Sequence, residues 1–353
     1  MDLEAYGYGP HFSRALEALG SAELEPARVI EEQRGMYRVV TAGLERRVEI
    51  VGRLRQSGLM PAVGDWVALQ PLGESGGAIQ QVLERRSQIS RKFPGRTARE
   101  QVLAANLDTV FMVTSCNEDF SQRRIERYLT MIWESGARPV VLLNKTDLVD
   151  DPAALAVEAE AVALGVPVVG ICAKQEGGLA ALEPFLEPGK TIALIGSSGV
   201  GKSTIVNRLM GSEVQDVKEV RDDDAKGRHT TRSRHLFLLP GGALLLDTPG
   251  LRELALWITD TGLGQTFADI EELAQDCRFQ DCVHGDEPDC AVKQAVEEGT
   301  LDAARLESYD KLRRELQHID RKADPEAQAE VKRKWREIHK NLRAGRKKGW
   351  FRD

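Results

Sequence analysis

A glycine-rich segment, GSSGVGKS at residues 196–203, has the residue types and spacing of a phosphate-binding loop. It follows the apolar run TIALI and precedes the helical pattern TIVNRLM, which is the strand–loop–helix context that this motif requires. Its glycines let backbone N–H groups wrap phosphate oxygens at the start of a helix. Lys202 would contact the β- and γ-phosphates as a candidate catalytic residue, and Ser203 would bind Mg²⁺. The predicted nucleotide-binding residues are Gly196, Ser197, Ser198, Gly199, Val200, Gly201, Lys202, Ser203 and Thr204.

A second polar element, NKTD at residues 144–147, follows the apolar run VVLL and can read a guanine base. The Asp147 carboxylate can accept hydrogen bonds from N1–H and N2–H₂ of guanine, whereas adenine would leave it unpaired, which argues against an ATP-using enzyme. Asn144 and the stem of Lys145 would hold the base and the loop. Another apolar run, VPVVGI, ends at residues 172–174, where a backbone N–H could contact the guanine O6. The predicted guanine-binding residues are Asn144, Lys145, Thr146, Asp147, Cys172, Ala173 and Lys174.

DTPG at residues 247–250 follows the apolar run ALLL. Asp247, at the end of a strand, suits Mg²⁺ bound directly or through water, and the Gly250 N–H could bind a γ-phosphate. In ordinary GTPases a glutamine after this element orients the attacking water. Leu251 stands in that place and cannot do so.

The segment between these motifs, KEVRDDDAKGRHTTRSRH, is polar, charged and poor in apolar residues, which is typical of a mobile switch loop. Thr230 or Thr231 is the candidate ligand for Mg²⁺ and the γ-phosphate. His229, beside them, is the candidate catalytic residue that orients the water. The alternative interpretation of His229 is an ordinary loop residue.

The order of these elements differs from that of an ordinary GTPase, in which the phosphate loop comes first and the base-reading elements last. Here the base-reading elements at 144 and 172 precede the phosphate loop at 196. The same sheet can form if the original ends are joined and the chain opens elsewhere, since termini often lie close together. The order predicts a circularly permuted GTPase whose DTPG segment leads into the C-terminal region, so that switch and domain motions are coupled.

Three cysteines and one histidine have the spacing Cys277-x₄-Cys282-x-His284-x₅-Cys290. Three thiolates and an imidazole are a full tetrahedral set of ligands for one Zn²⁺ ion. With four protein ligands and no open position, such a site would be structural rather than catalytic. The alternative is a group of buried or free cysteines.

The elements that position these residues change in type along the chain. The first 30 residues contain one short amphipathic helix, and residues 34 to about 91 form short β-like runs broken by glycine. This pattern predicts a small β-barrel of the OB type, although an SH3-like barrel would look similar. From about Leu107 apolar runs alternate with helical stretches, as in helices packed on a mostly parallel α/β sheet, and after Gly250 only helical patterns recur. The expected domains are a barrel domain over residues 1–95, a permuted GTPase domain over 96–262, and a mostly helical zinc-binding domain with a basic tail over 263–353.

The composition is that of a globular protein, with 353 residues of which 42% are hydrophobic and 29% charged. No run approaches 18 apolar residues, and the N-terminus carries acids before any apolar stretch, unlike a secretory signal. Five cysteines, an odd number, argue against a disulfide framework. We therefore expect a cytoplasmic protein with no membrane partner, and a monomer because no feature suggests a dimer interface.

Positive charge is concentrated in two segments, although the whole chain has a net charge of −7. Residues 332–353 hold ten basic and two acidic residues together with Trp335, Trp350 and Phe351, which suits phosphate contacts and base stacking on RNA. A solvated helix face with aromatic anchors would explain much of this equally well. Residues 85–99 hold six basic residues and no acid, and predict an interdomain loop that either contacts RNA or is a solvated linker.

The barrel, the permuted order of NKTD, GSSGVGKS, GRHTT and DTPG, and the Cys-Cys-His-Cys cluster together resemble the bacterial ribosome small-subunit-dependent GTPase A family over nearly the whole chain. The resemblance implies an N-terminal OB-fold, hydrolysis of GTP to GDP stimulated by the 30S subunit, contact with 16S rRNA, and action late in 30S assembly. It also places the family's catalytic histidine at His229. Two positions depart from the family pattern: the Ser-Ala-Lys element reads Cys-Ala-Lys at 172–174, and Arg232 shortens the run of threonines.

Two other functions stay open from the residues alone. One is a GTP-gated RNA- or ribosome-binding protein whose slow hydrolysis is incidental, which Leu251 in place of glutamine permits. The other is a permuted GTPase of large-subunit assembly, against which the zinc cluster and the N-terminal barrel argue.

Overall fold

The structure is a computed structural model of the chain. It describes residues 2–33, 35–73, 75–92, 100–117, 119–211, 234–247, 260–285 and 287–323. The switch-loop candidates His229, Thr230 and Thr231, together with Gly250 and the basic tail over residues 332–353, lie outside the described residues.

A short helix and a closed barrel form the N-terminal region. The elements are α1 (Pro10–Glu17), β1 (Glu25–Gln33), β2 (Met36–Val40), β3 (Glu45–Ile50), α2 (Gly52–Ser57), β4 (Trp66–Leu72) and β5 (Gly76–Val82). The strands pair in the order β1-β2-β3-β5-β4, and β4 pairs again with β1, which closes the sheet. Val39, Val67 and Ile79 are fully buried inside it. The expected small OB-like barrel is confirmed.

The barrel begins at Glu25, however, and not near residue 34 as the sequence pattern indicated. The strand β1 reads EPARVIEEQ, so its charged residues mask the alternation of a half-buried strand. Ala27 and Val29 belong to the barrel core. A register shift between Val29 and Glu31 places Ile30 in the core of the neighbouring sheet. Side chains of this one irregular strand therefore pack into two hydrophobic cores.

A two-stranded hairpin follows the barrel and consists of β6 (Gln88–Lys92) and β7 (Glu100–Ala105). The expectation of a loop over residues 85–99 is therefore wrong for residues 88–92, which form a strand. Ile89 of β6 and Leu103 of β7 are buried in the core of the central domain, and this packing overrides the basic, polar character of the segment. Residues 93–99 lie outside the described residues.

The central domain is a six-stranded sheet with helices on both faces. Its elements are β8 (Thr109–Ser115), α3 (Gln122–Glu134), β9 (Arg138–Asn144), α4 (Pro152–Glu160), β10 (Val168–Gly170), β11 (Thr191–Ile195), α5 (Lys202–Met210), β12 (Arg234–Leu238) and β13 (Leu244–Asp247). The order is β10-β9-β8-β11-β13-β12, parallel except for β12. Val110 and Met112 of β8 enter one core, while Phe111 and Val113 enter the other. Burial on both faces explains the continuous apolar runs, and the predicted α/β architecture is confirmed.

The barrel and the central sheet are joined by backbone pairing. The end of β1 pairs antiparallel with β12, so that all eleven strands belong to one sheet. Glu31 lies opposite His235, whose Nε2 is 3.1 Å from a Glu31 carboxylate oxygen. Glu32 and Arg234 form a second ion pair at 3.2 Å. This junction therefore combines main-chain and side-chain contacts.

The C-terminal region is helical, as predicted. Its elements are α6 (Asp260–Thr266), α7 (Ala268–Ala274), α8 (Ala291–Glu297) and α9 (Ala303–Ala323). Phe267, Ile270 and Leu312 extend the core on one face of the central sheet, so these helices pack directly on the GTPase domain. Across the described ranges, no helix combines the length and the apolar character that crossing a bilayer requires.

Candidate functional site

The polar elements predicted from the sequence meet at one edge of the central sheet. The parallel strands β8, β9, β11 and β13 all end there, with Ser115 paired to Asn144 and Ile195 paired to Met112. Ligands of open α/β sheets bind outside the carboxyl ends of the strands. The phosphate loop, the base-reading elements and Asp247 therefore share the edge at which a nucleotide is expected.

The phosphate loop contains two glycines that no other residue could replace without displacing a neighbour. Gly196 and Gly201 have φ values of +143° and +101°. A Cβ atom at Gly196 would lie 2.1 Å from the Val113 carbonyl oxygen, and one at Gly201 would lie 2.3 Å from Nδ2 of Asn144. These close approaches fix the loop against β8 on one side and against the NKTD element on the other.

The Lys202 ammonium lies within the curve of the phosphate loop. Its Nζ donates to the Gly196 carbonyl at 2.8 Å and also to the Ser197 carbonyl, and the side chain is buried. Because Lys202 is the first residue of α5, its charge adds to that of a helix N-terminus, where phosphate oxygens are favoured. Ser198 and Gly199 are exposed at the mouth of the loop, while Val200 is buried beneath it.

Asn144 connects three segments of the site. Its Nδ2 donates to the Val200 carbonyl at 2.7 Å, and its Oδ1 accepts from the Ala173 N–H at 3.1 Å. The neighbouring Lys145 donates from Nζ to the Gly199 carbonyl at 2.8 Å. The NKTD element is therefore tied to the phosphate loop and to the Cys-Ala-Lys element, so the relative positions of base and phosphate subsites are set by hydrogen bonds.

The Asp147 carboxylate is exposed, and a neighbouring thiol orients it. The Cys172 Sγ–H donates to Oδ1 of Asp147 at 3.0 Å, and Cys172 itself is buried. Thr146 supports the same turn, because its Oγ1 donates to the Ile171 carbonyl at 3.2 Å. The sequence predicts only a backbone contact at residue 172. The signal for its side-chain role was present, since cysteine keeps a donor on the γ atom, as serine does.

The last residue of the Cys-Ala-Lys element, Lys174, is exposed. Its carbonyl accepts a hydrogen bond from the Arg208 guanidinium at 2.7 Å, which connects this element to α5. The second turn of the site is therefore also fixed to the helix that follows the phosphate loop.

Ser203 and Asp247 are the magnesium candidates within the described residues, and both are half-buried. Ser203, like its neighbour Thr204, is in the first turn of α5, and Asp247 is the last residue of β13. Since β13 pairs with β11, the two candidates lie on adjacent elements at one edge. A hydroxyl and a carboxylate are oxygen donors of the kind that Mg²⁺ takes beside phosphate oxygens, so the pair fits this ion.

The four predicted zinc ligands converge in the segment between α7 and α8. The ligand atoms of Cys277, Cys282, His284 and Cys290 all lie within 4.8 Å of one another. The Sγ atoms of Cys277 and Cys290 are 3.8 Å apart, and Cys290 Sγ lies 3.5 Å from Nδ1 of His284. Tetrahedral zinc with bonds of about 2.3 Å to sulfur places two thiolates about 3.8 Å apart. The four side chains therefore fit one tetrahedral zinc ion.

The surroundings of the cluster also suit a metal. Burial lowers the pKa of His284, which favours the neutral imidazole that binds zinc. His284 has φ +61°, a conformation that brings its ring back toward the cysteines at some cost in strain. The Tyr309 ring of α9 lies 6.4 Å from the His284 ring, and its hydroxyl donates to Glu271 of α7 at 2.8 Å. The cluster thus joins the loop to two helices.

A buried cluster of charges connects the C-terminal helices to α3, and the sequence analysis did not find it. The Arg305 guanidinium donates to the two Asp269 carboxylate oxygens at 2.7 and 2.8 Å and to Glu126 at 2.9 Å. It also donates to the Thr266 carbonyl at 3.0 Å. Glu126 is only 1% exposed. A charged residue inside a helical pattern is ordinarily solvated, so only the tertiary structure identifies these partners.

A parallel sheet whose base-reading elements precede its phosphate loop along the chain defines the class of circularly permuted GTPases. Comparison with known proteins agrees: a family model described as RsgA GTPase matches residues 82–257, and one described as 50S ribosome-binding GTPase matches residues 191–324. The solved structure of YjeQ from Thermotoga maritima is similar with a TM-score of 0.63 and 28% identity, covering 83% of this chain and 98% of that chain. That of YloQ, described as a circularly permuted GTPase, has a TM-score of 0.61 and 27% identity, covering 84% and 96%.

Curated relatives are similar over most of the chain. The small ribosomal subunit biogenesis GTPase RsgA of Opitutus terrae is 43% identical over 98% of both chains. The protein of the same description from Methanosarcina acetivorans is 44% identical over 91% of this chain and 87% of its own. The chain belongs to the RsgA GTPase family, and it is a GTP-hydrolysing enzyme.

Proposed function

We propose that this chain hydrolyses GTP during late maturation of the small ribosomal subunit, that the 30S subunit stimulates the reaction, and that the chain contacts 16S rRNA. The observation that supports GTP as the substrate is the guanine-reading arrangement, in which Cys172 orients the Asp147 carboxylate and Asn144 ties the NKTD element to the phosphate loop. Relatives described as small ribosomal subunit biogenesis GTPases support this assignment and do not favour large-subunit assembly or incidental hydrolysis.

In the proposed reaction, residues 196–204 hold the triphosphate and residues 144–147 and 172–174 hold the guanine. The Lys202 ammonium stabilises the negative charge that develops between the β- and γ-phosphates as the bond breaks. The Gly250 N–H would donate to the γ-phosphate. These contacts are made before the reaction, so little reorganisation is needed in the transition state.

The remaining proposed roles concern the metal ion and the attacking water. Ser203 and Asp247, with Thr230 or Thr231, would hold Mg²⁺, which supplies positive charge to the phosphate oxygens when bound. Because Leu251 replaces the usual glutamine, we propose that His229 orients the water. Replacing His229 with Ala should reduce stimulated turnover and leave GDP affinity unchanged; unchanged turnover would remove His229 from the mechanism.

The proposed organisation follows the same assignment. A barrel domain over residues 1–95 and the basic segments would face rRNA, a GTPase domain over 96–262 would hold the nucleotide, and a domain over 263–353 would be stabilised by one structural Zn²⁺ ion on Cys277, Cys282, His284 and Cys290. We propose that the protein acts as a monomer in the cytoplasm, where its partner subunit is assembled, without a membrane partner.

The deciding experiment measures GTP turnover by the purified protein alone, with 30S subunits and with 50S subunits. We expect strong stimulation by 30S subunits only. Equal stimulation by both, or by 50S subunits alone, would contradict the assignment to the small subunit. GTP-dependent binding to 30S without stimulation would favour a gated binding protein.

Guanine recognition can be tested separately with Asp147→Asn. The amide would present a donor to the guanine N–H groups, so we expect GTP affinity to fall about a hundredfold or more and xanthosine triphosphate, whose C2 carries an oxygen, to bind instead. Asp150→Asn, an exposed acid three positions along, is the matched control and should bind GTP as the parent does. Retained GTP preference in Asp147→Asn would contradict the proposed base reading.

A further inference from the structure

The loop that carries the zinc ligands also presents apolar side chains to solvent. Phe279 is 41% exposed and Val283 is 53% exposed. Phe279 begins a tight turn, in which the Cys282 N–H donates to the Phe279 carbonyl at 3.2 Å, and Val283 directly follows this turn. Phe279 stands between two zinc ligands in the sequence, and Val283 directly follows one, so ligation would hold these positions outside the core. Two such side chains on one restrained turn form an apolar contact surface.

The stretch of sequence that contains this turn is strongly negative. Residues 260–302 contain twelve acidic and two basic residues, a net charge of −10, whereas the remainder of the chain sums to +3. Asp276 and Asp281, which flank Phe279, are both exposed. We refer to Asp276, Phe279, Asp281 and Val283 as the zinc-loop surface. It therefore combines two apolar side chains with two carboxylates.

The basic residue within this turn is already engaged. The Arg278 guanidinium lies 2.7 Å from an Asp289 carboxylate oxygen and stacks over the Phe279 ring at 5.6 Å. Its charge is thus compensated inside the loop, and its stacking holds the Phe279 ring. Three thiolates with one Zn²⁺ ion would add a further negative charge to the same segment.

This charge pattern decides between the two kinds of surface that a maturing ribosomal subunit offers. RNA phosphates would be repelled by the zinc-loop surface, because like charges brought together cost free energy that no counterion release offsets. Proteins that coat RNA carry Lys and Arg, and their surfaces would be electrostatically complementary to Asp276 and Asp281. An aromatic side chain among such contacts is a typical interface anchor.

We propose that the zinc-loop surface docks on a cationic protein surface, rich in Lys and Arg, and not on RNA. The inference rests on the proposed function, since it names the class of partner that the C-terminal domain contacts on the small subunit. Under this proposal the barrel and the basic segments contact RNA, while the zinc loop contacts a protein. The metal's function is then to present the surface in a fixed shape.

A photo-crosslinker at position 279 tests the partner class directly. Phe279→p-benzoylphenylalanine keeps an aromatic ring at that site, and the full-length zinc-loaded protein is mixed with 30S subunits and a non-hydrolysable GTP analogue before irradiation. We expect an adduct that survives ribonuclease and whose second component is a polypeptide of the 30S subunit. An adduct with rRNA, an adduct within the chain itself that forms without 30S, or no adduct while the chain still co-sediments with 30S would each overturn the proposal. If the unmodified chain does not co-sediment with 30S at all, the proposed function fails as well.

Charge reversal gives an independent test, because a cationic protein partner and an RNA partner predict opposite changes in affinity for the 30S subunit. Asp276→Lys combined with Asp281→Lys should weaken 30S co-sedimentation about tenfold if the partner is cationic. An RNA partner would instead bind these variants more tightly, with a salt dependence steeper by about two in log–log slope. The matched control is Asp150→Lys combined with Glu158→Lys, two exposed acids of the guanine side of the central domain, which should change affinity less than twofold. Zinc content measured in each variant verifies that the loop is intact.

Discussion

The two junctions of the central domain each bury an arginine, but they satisfy it differently. Arg28 of β1 lies between the barrel and the central sheet, and Arg305 of α9 lies between the C-terminal helices and α3. Their exposed fractions are 0% and 6%. Arg305 donates to two carboxylates, whereas Nη2 of Arg28 donates only to the Thr191 hydroxyl at 3.1 Å and the Asn106 carbonyl at 3.4 Å. Among the described residues, Nε and Nη1 of Arg28 have no hydrogen-bond partner.

The pKa values of the two buried arginines are shifted in opposite directions. Burial lowers the pKa of Arg28 to about 9, since the charges of Asp108 and Asp65 offset only part of the desolvation and the charge of Arg86 opposes them. Burial also acts on Arg305, but the carboxylates of Asp269 and Glu126 outweigh it and raise the pKa of Arg305. Arg28 is held mainly by the Trp66 ring, 5.3 Å from its guanidinium carbon. The comparison indicates that the buried arginine of the C-terminal junction is paired with carboxylates, whereas the barrel junction combines strand pairing and the half-buried Glu32–Arg234 pair with an arginine that has no carboxylate partner.

Removing the proposed zinc ion should have the largest effect on the stability of the C-terminal junction. A structural zinc contributes about 10 kcal/mol or more to the folding of a small domain. We expect a chelator to unfold residues 277–290 and to release the Arg305 cluster, since Tyr309 and the helices around it pack against the zinc loop. The strand pair between β1 and β12 should persist. Hydrogen exchange measures both, and unchanged protection of α7 to α9 after metal loss would contradict the structural assignment.

Arg305→Met should have the next largest effect. The substitution leaves Glu126 and Asp269 without their cationic partner in a buried site, which typically costs about 3–5 kcal/mol. Urea unfolding of the zinc-loaded protein measures the loss. Adding Glu126→Gln and Asp269→Asn removes the two unpaired negative charges and should restore most of the stability. If the triple variant is no more stable than Arg305→Met, packing and not charge pairing holds this junction.

The sequence was sufficient for features that depend on local pattern. The phosphate loop, NKTD and the zinc spacing each place their chemistry within a few residues, and continuous apolar runs indicate strands buried on both faces. For this reason the α/β core, the barrel and the helical C-terminus were predicted correctly. The permuted order also required only the positions of the motifs along the chain.

Features that depend on distant partners were missed. Strand β1 contains four charged residues among nine, and only its two packing partners make it a strand. For the segment that includes strand β6 the sequence predicts a loop, because Pro94 and Gly95 follow within a few residues, although Ile89 is buried by the central domain. The bond from Cys172 to Asp147 and the burial of Glu126 by Arg305 join residues far apart in the chain. Local periodicity carries no information about such pairs.

Arg28→Met should change stability by no more than about 1 kcal/mol in either direction. Methionine keeps an unbranched side chain under Trp66 and removes a buried charge that has no carboxylate partner, and such replacements are often neutral or stabilising. Since the pKa of Arg28 is lowered from its ordinary value to about 9, the folded state binds its proton less tightly than the unfolded state does. Folding of the parent is therefore penalised below about pH 9 and gains stability as the pH rises above it. Unfolding free energies measured at pH 7.5 and 9.5 should show that the stability of Arg28→Met, relative to that of the parent, falls as the pH rises. A destabilisation above about 3 kcal/mol would mean that Arg28 is paired as well as Arg305 is.

The smallest effect should come from Arg123→Ala, at the same junction as Arg305. Arg123 lies 2.7 Å from Glu307, but the two side chains are 51% and 71% exposed, so water already solvates both charges. Exposed pairs of this kind contribute about 0.2–1 kcal/mol, and the contribution declines with salt. Urea unfolding at low and high salt should show a loss below 1 kcal/mol that disappears at high salt, whereas the loss in Arg305→Met should persist. A salt-independent loss of several kcal/mol in Arg123→Ala would mean that surface ion pairs hold the C-terminal junction. The difference between the two junctions could then no longer be attributed to their buried arginines.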